Sequence, residues 1–281
     1  VTREATLTEA LRQAISAGLE RLEAQRLLLH ALARDPSDRA WLLAHDSDAL
    51  PAAQADRFAA LLARHATGEP MGYLIGEQDF FGLRLRVDAR VLVPRPDTET
   101  LVQWALDLLD SLPQPADFLD LGTGCGAVAL AVKSQRPETT VHASDASEPA
   151  LAVARGNAER LNLAVLFHHG SWLDAVRGMG FHLIASNPPY IAEGDAHLPA
   201  LRHEPLSALT AGADGLEDIR QLVAQAPDHL RPGGWLLLEH GHDQAEPVRQ
   251  LLKARGFNVV SSRNDLAGIA RCSGGHWPLR R

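Results

Sequence analysis

Apolar positions in the first quarter of the chain recur three and four residues apart. Leu7, Leu11, Ile15 and Leu19 form one row, and Leu22, Leu28, Leu29 and Leu32 continue it. That period predicts helices that each bury one stripe. Asp35-Pro36 and Asp46-Ser47 interrupt the pattern, and "LPAAQADRFAALLARHATGEP" predicts another helix ending near Gly68-Glu69-Pro70. Residues 1–70 are expected to form a small helical domain. From Tyr73 to Val93 the alternation shortens to two around Gly82, which predicts a β-hairpin. Residues 71–93 read as a bridge to a larger domain over 94–281. "RPDTETLVQWALDLLDSL" then opens a helix, with proline and carboxylates at its start and an apolar stripe after them.

From residue 117 the two periods alternate. "DFLDLGTG", "TVHASDA", "AVLFHHG", "FHLIASNPPY" and "WLLLEHG" read as strands, with helical segments in most of the gaps, and "FNVVSSRNDLAGIARCSGGHW" reads as a closing pair. Repeated βα units predict an α/β domain: a Rossmann-like sheet of seven strands, mostly parallel, with helices on both faces. Ligands of such sheets sit beyond the C-terminal strand ends. The segments just after each strand are therefore where chemistry is expected.

Composition narrows the class. The chain has 281 residues, a formal net charge of −8 and 46% hydrophobic residues. This is a globular balance, and the acidic total argues against nucleic acid as the main partner. The first 25 residues are charged and helix-patterned, without the apolar core of a signal peptide, and no apolar run reaches membrane-spanning length. Cys125 and Cys272 form no CxxC and read as reduced thiols. A soluble cytoplasmic monomer is expected.

Three loops carry candidate chemistry. After the first sheet strand, Gly122, Gly124 and Gly126 allow a tight turn and close approach of a ligand to the backbone, and the following helix start offers free N–H groups. The spacing fits both a relaxed dinucleotide fingerprint and an adenosylmethionine loop. Either cofactor needs a carboxylate after the second strand for its ribose, and Asp145 supplies one. The fourth strand ends in Asn187-Pro188-Pro189-Tyr190. Two prolines remove two backbone donors and stiffen the chain. The Asn187 side-chain oxygen and the Pro188 carbonyl can each accept an N–H of a planar NH₂ group, and Tyr190 can cover its face. That suits methylation of an amide or exocyclic amine, where the nitrogen lone pair is delocalised and must be oriented and enriched. His168 and His169 point to opposite strand faces. "EHGHD", with His240, His242 and Asp243, has metal-like spacing but no further ligands nearby, so no metal centre is expected.

With these motifs in place, the chain resembles the HemK/PrmC family of protein-(glutamine-N5) methyltransferases over nearly its whole length. "EPMGYLIGEQDFFGL", "VLVPRPDTETLV", "FLDLGTGCGAVALA", "SNPPYI", "HEPLSALTAGADGLEDIR", "PGGWLLLEHGHDQ" and "DLAGIAR" carry the likeness. The resemblance implies a class I methyltransferase fold with an N-terminal helical domain that grips class I peptide chain release factors. It implies transfer of a methyl group from S-adenosyl-L-methionine, leaving S-adenosyl-L-homocysteine, to the glutamine of their Gly-Gly-Gln loop. It places Gly122, Thr123, Gly124, Cys125 and Gly126 around the methionine part, Asp145 on the ribose and Trp172 beside the adenine. Asn187 then lies between cofactor and target amide, and Pro188, Pro189 and Tyr190 complete the glutamine pocket. Arg95 and Glu99 read equally as residues of the site mouth or as a helix start with a surface ion pair. Two other functions fit parts of the pattern: an adenine amino-methyltransferase with Tyr190 stacking a flipped base, and a silent partner-binding protein on the same fold.

Overall fold

The computed structural model describes residues 5–112 and 114–279; the first four residues of the expected helical segment, Pro113 and the last two residues of the chain lie outside this range. The chain divides into two compact units, Val1–Glu77 and Gln78–Arg281. In the first, α1 (Leu7–Ser16), α2 (Arg21–Ala31), α3 (Arg39–Ala44), α4 (Ala52–Ala66) and α5 (Met71–Ile75) surround Leu27, Leu28, Leu29, Phe58 and Leu61, all buried. A capping box starts α1: Glu9 N–H donates to Thr6 Oγ1 at 3.2 Å, and Thr6 N–H to Glu9 Oε2 at 2.8 Å.

The hairpin is shorter than its alternation suggests. Strands β1 (Glu77–Phe80) and β2 (Leu83–Arg86) form it, while Tyr73–Ile75 belongs to helix α5. The cause is local: Pro70 precedes the helix and Gly76, at φ +83°, ends it in the left-handed region.

In the second unit the chain continues through α6 (Glu99–Leu109), β3 (Asp117–Leu121), α7 (Ala127–Gln135), β4 (Thr140–Asp145), α8 (Glu148–Leu161), β5 (Leu166–His169), β6 (Phe181–Ser186), α9 (Glu217–Gln225), β7 (Leu230–Glu239), α10 (Ala245–Arg255), β8 (Asn258–Asn264) and β9 (Ala270–His276). A single 3-10 turn, Pro96–Thr98, precedes α6. The seven-stranded sheet runs in the order β5-β4-β3-β6-β7-β9-β8. Strands β5 to β7 are parallel, and β9 is antiparallel to both β7 and β8. Strand β7 starts earlier than "WLLLEHG", which opens at Trp235, because residues 230–234 belong to it as well, and the register against β6 shifts between Phe181 and Leu183 to admit them.

Both sheet faces are covered. Leu119, Leu121, Ile184, Leu236 and Leu238 pack with Ile219 and Leu222 of α9 and Val248 and Leu252 of α10. Helices α6, α7 and α8 pack on the sheet as well, and Phe118, Leu183 and Leu237 are fully buried. Strand order reverses at β3: the chain moves outward through β4 and β5, then returns to place β6 on the other side of β3. The crevice beyond the ends of β3 and β6 is the topological switch point, where such sheets bind ligands.

Candidate active site

A cavity of about 510 Å³ opens at that switch point. Its wall includes Gly122, Thr123, Gly124 and Cys125 after β3, Asp145 after β4, Trp172 after β5, and Asn187 and Pro189 after β6. The volume is that of a cofactor-sized pocket.

The glycine loop is held from below. Gly122 and Thr123 donate backbone N–H groups to Ser144 O, both at 2.9 Å. Asp145 Oδ2 accepts from Gly124 N–H at 2.9 Å, and Oδ1 accepts from Ser147 N–H at 2.8 Å. Each Asp145 oxygen keeps a lone pair for a hydroxyl donor. All three glycines have positive φ, at +70°, +55° and +88°. Their surroundings differ. A Cβ on Gly126 would lie 2.9 Å from Leu130 Cδ1, whereas one on Gly124 would meet nothing within 4 Å. Gly126 is thus a packing glycine behind the loop and outside the cavity wall; Gly124 faces open space.

Cys125 is buried, and burial pushes its thiol up to about 12, so the side chain is a neutral packing group. Its carbonyl accepts from Asn157 Nδ2 at 2.9 Å, and Asn157 also bonds both backbone groups of Arg86, tying the loop to β2. Asp120, at the end of β3, is 2% exposed and lines the cavity. Burial raises its pKa to about 7, against donors from Thr123 Oγ1 at 2.6 Å and Ala129 N at 3.1 Å. Trp172 adopts a left-handed backbone, φ +46°, lies against Gly122 and donates its indole N–H to Asp218 Oδ1 at 3.2 Å. Burial also raises the Asp218 carboxyl.

Asn187 donates from Nδ2 to Thr98 Oγ1 at 3.2 Å, and its Oδ1 makes no hydrogen bond among the described residues. Ser186 Oγ donates to Leu121 O at 2.8 Å, pinning the end of β6 to β3. Pro188 is buried. The Tyr190 ring packs against the core of the α9–α10 face, outside the cavity wall, and its hydroxyl points to Glu239 Oε1 at 3.4 Å. Burial and the Glu239 carboxylate raise the phenol pKa. The Tyr190 carbonyl accepts from Gln244 Nε2 at 3.0 Å, so both ends of this residue are fixed.

Arg95 and Glu99 make separate contacts. Arg95 pairs with the buried carboxylate of Glu204, which also accepts from Val93 N–H at 3.0 Å. Glu99 Oε1 accepts from Phe81 N–H at 2.9 Å, joining α6 to the hairpin turn. His240 uses both ring nitrogens, on Gly241 O and Ser273 Oγ, each at 2.8 Å. Among the described residues no group of three or more His, Cys, Asp or Glu is placed to hold a metal ion, and no helix is long and apolar enough to cross a membrane.

Sequence reasoning did not single out Thr98, Asn157, Glu204, Asp218, Glu239 or Gln244. A partial signal existed for Glu239, an acidic residue at the C-terminal end of an apolar strand. Asn157 and Gln244 carried none, because their partners lie 71 and 54 residues away.

Comparisons with known proteins identify the fold and the family. Residues 105–208 match the methyltransferase small domain, and residues 5–76 match the PrmC N-terminal domain. A methyltransferase from Pyrococcus furiosus shares the fold, with a TM-score of 0.53 and 22% identity over 80% of this chain and all of that one. Fold and crevice together define a methyltransferase of the seven-stranded α/β class. The release factor glutamine methyltransferase of Xylella fastidiosa (strain Temecula1) is 47% identical over 96% of this chain and 98% of its own length. That of Bordetella pertussis is 48% identical over 92% and 96%. The chain belongs to the release factor glutamine methyltransferase family.

Proposed function

We propose that this protein transfers a methyl group from S-adenosylmethionine to the side-chain amide nitrogen of the glutamine in the Gly-Gly-Gln motif of class I peptide chain release factors. One observation carries the reading: a single cavity at the switch point joins the glycine loop and Asp145 on one side to Asn187 on the other. The residues fit the cofactor. Asp145 offers two oxygens to ribose hydroxyls, and Gly124 leaves room for close approach. Trp172 supplies a flat wall for the adenine, and Asp218, which accepts its indole N–H, fixes the ring. The bound cofactor supplies an electrophilic methyl group on a sulfonium.

The chain's own part is orientation and electrostatics. Asn187 Oδ1 and the Pro188 carbonyl accept the two N–H groups of the target amide, which aims its nitrogen and favours the positive charge developing there. The rigid prolines hold these acceptors, and Tyr190 backs them. The methylated nitrogen is acidic and loses its proton without a strong base. The helical unit supplies the surface that grips the release factor.

The test is label transfer from methyl-labelled adenosylmethionine to a release factor and to the same factor with its Gly-Gly-Gln glutamine changed to alanine. Transfer to the first and none to the second is expected. Label on both would remove glutamine specificity, and salt-sensitive transfer to nucleic acid would replace the protein substrate.

A further inference from the structure

The cavity at the switch point has a wall that the proposed chemistry leaves idle. Leu92 and Pro94 line it from the chain before α6, and Pro205, Ser207 and Ala208 line it at a 3-10 turn, Leu206–Ala208. Glu204 ties the two stretches together. Its side chain is 1% exposed, and a carboxylate so buried needs partners. It accepts Val93 N–H at 3.0 Å and pairs with the Arg95 guanidinium. The far end of the turn is fixed as well. Ile191, the residue after Tyr190, donates its N–H to Leu209 O at 2.9 Å and accepts from Ala211 N–H at 3.0 Å. The turn is thus bound in front to the chain before α6 and behind to the end of the loop 187–190.

Leu206 sits on this fixed turn, and it is 62% exposed. A single exposed leucine is ordinary on a protein surface. This one is placed differently. Pro205 before it and Ser207 and Ala208 after it all belong to the cavity wall, so Leu206 stands on the rim. The charge beside it is balanced. Arg90, a residue of the cavity wall, donates to Asp88 from Nε at 2.8 Å and from a terminal nitrogen at 2.6 Å, and Arg95 is taken by Glu204. A rim with an exposed apolar side chain, and with these guanidinium groups matched by carboxylates, suits a polypeptide better than a phosphate backbone.

We propose that Leu206 is a substrate-contact residue, packing against the polypeptide that presents the target glutamine, and that Glu204 is the positioning residue that holds the rim turn in place for it. The proposal rests on reading this cavity as the site of methyl transfer to a release factor. The chemistry of that guest fits. Two glycines precede the glutamine, so no side chain shields the backbone there, and an apolar rim can lie directly against it. The contact lies away from the reacting nitrogen and is made equally in the ground and transition states. It therefore governs how well the factor binds and leaves the chemical step alone.

Steady-state methylation of a full-length release factor tests both roles, with each variant made in the full-length protein. Leu206→Ser should raise KM for the factor about tenfold or more, with kcat within about twofold. Its adenosylmethionine affinity by calorimetry and its urea midpoint should match wild type, because the side chain is exposed. Leu206→Met keeps an apolar contact and should hold KM within about threefold of wild type. Glu204→Gln keeps an acceptor for Val93 N–H and gives up the charge that pairs with Arg95. Arg95→Gln breaks the same pair from its more exposed side. Each should raise KM about threefold or more with kcat within about twofold. Glu204→Gln combined with Leu206→Ser should raise KM by less than the product of the two, because both act on one contact. A Leu206→Ser KM within about twofold of wild type, or a Leu206→Met as impaired as Leu206→Ser, overturns the contact. An unchanged KM in Glu204→Gln and Arg95→Gln, or full multiplication in the double variant, overturns the positioning role. All these outcomes leave the methyl-transfer reading standing. A wild type that leaves the release factor unlabelled overturns that reading and this proposal with it.

Discussion

Asp145 and Asn187 separate two tasks that meet in one cavity. Asp145 commits one lone pair of each oxygen to the protein, holding Gly124 and Ser147 N–H groups. Asp145→Ala therefore removes a proposed ligand contact and loosens the loop that shapes the rest of the site. Adenosylmethionine binding should weaken by on the order of 100-fold, read by calorimetry; a change below threefold would deny the carboxylate its role. In the proposed reading Asn187 offers its Oδ1 to the guest, and among the described residues its side chain makes one bond to the protein, to Thr98. Asn187→Ala should leave cofactor affinity within about tenfold while lowering turnover by about 100-fold or more. Lost binding with intact turnover would reverse the two assignments.

The strand-end loops show what local sequence can and cannot reveal. Gly122, Gly124 and Gly126 look equivalent in the sequence, since all three signal a turn. In the fold one faces the cavity and another is boxed in, because α7 and α8 converge on Gly126 through Leu130 and Ala154. A side chain at Gly126 is strained in backbone and in packing. Gly126→Ala should cost about 1–3 kcal/mol in chemical denaturation, and Gly124→Ala less, its Cβ meeting nothing. Equal losses would contradict the placement. The repeated βα units, the switch-point loops and the closing antiparallel pair were legible because each follows from periodicity and turn residues over a short span. The start of β7 was not, because Arg231 to Gly234 carry turn chemistry and fall in the register jump against β6 between Leu230 and Trp235, held by the bonds of Gly233 N–H to Trp277 O and of Trp277 N–H to Gly234 O just past β9. The same limit hid the buttress of the site. Gln244 holds Tyr190, Glu204 holds Val93 and Arg95, and Asn157 holds Cys125 and Arg86, all across distances along the chain that no local pattern reports.

On the scale of the whole molecule, the buried carboxyls of the site weaken the fold, and pH exposes by how much. Asp120 has an ordinary pKa of 3.8 that burial raises to about 7. Between those values the folded chain binds more protons than the unfolded one, so stability falls as pH rises through this window and levels off above it. The shift corresponds to about 4 kcal/mol at 1.36 kcal/mol per unit. Histidines held partly away from water act in the opposite sense. His142 and His168, stacked with nitrogens 2.9 Å apart, are both lowered by burial, so their charging destabilises the fold as pH drops. The histidine contribution is shared by wild type and an Asp120→Asn variant and cancels in their difference. The substituted amide keeps an acceptor for Thr123 or Ala129 but never ionises. The stability of Asp120→Asn relative to wild type should therefore climb by up to about 4 kcal/mol between pH 4 and pH 8, with most of the climb below pH 7. Urea denaturation of the two proteins at pH 5 and pH 8 measures it. An equal difference at both pH values would mean that Asp120 ionises as freely in the folded chain as in water.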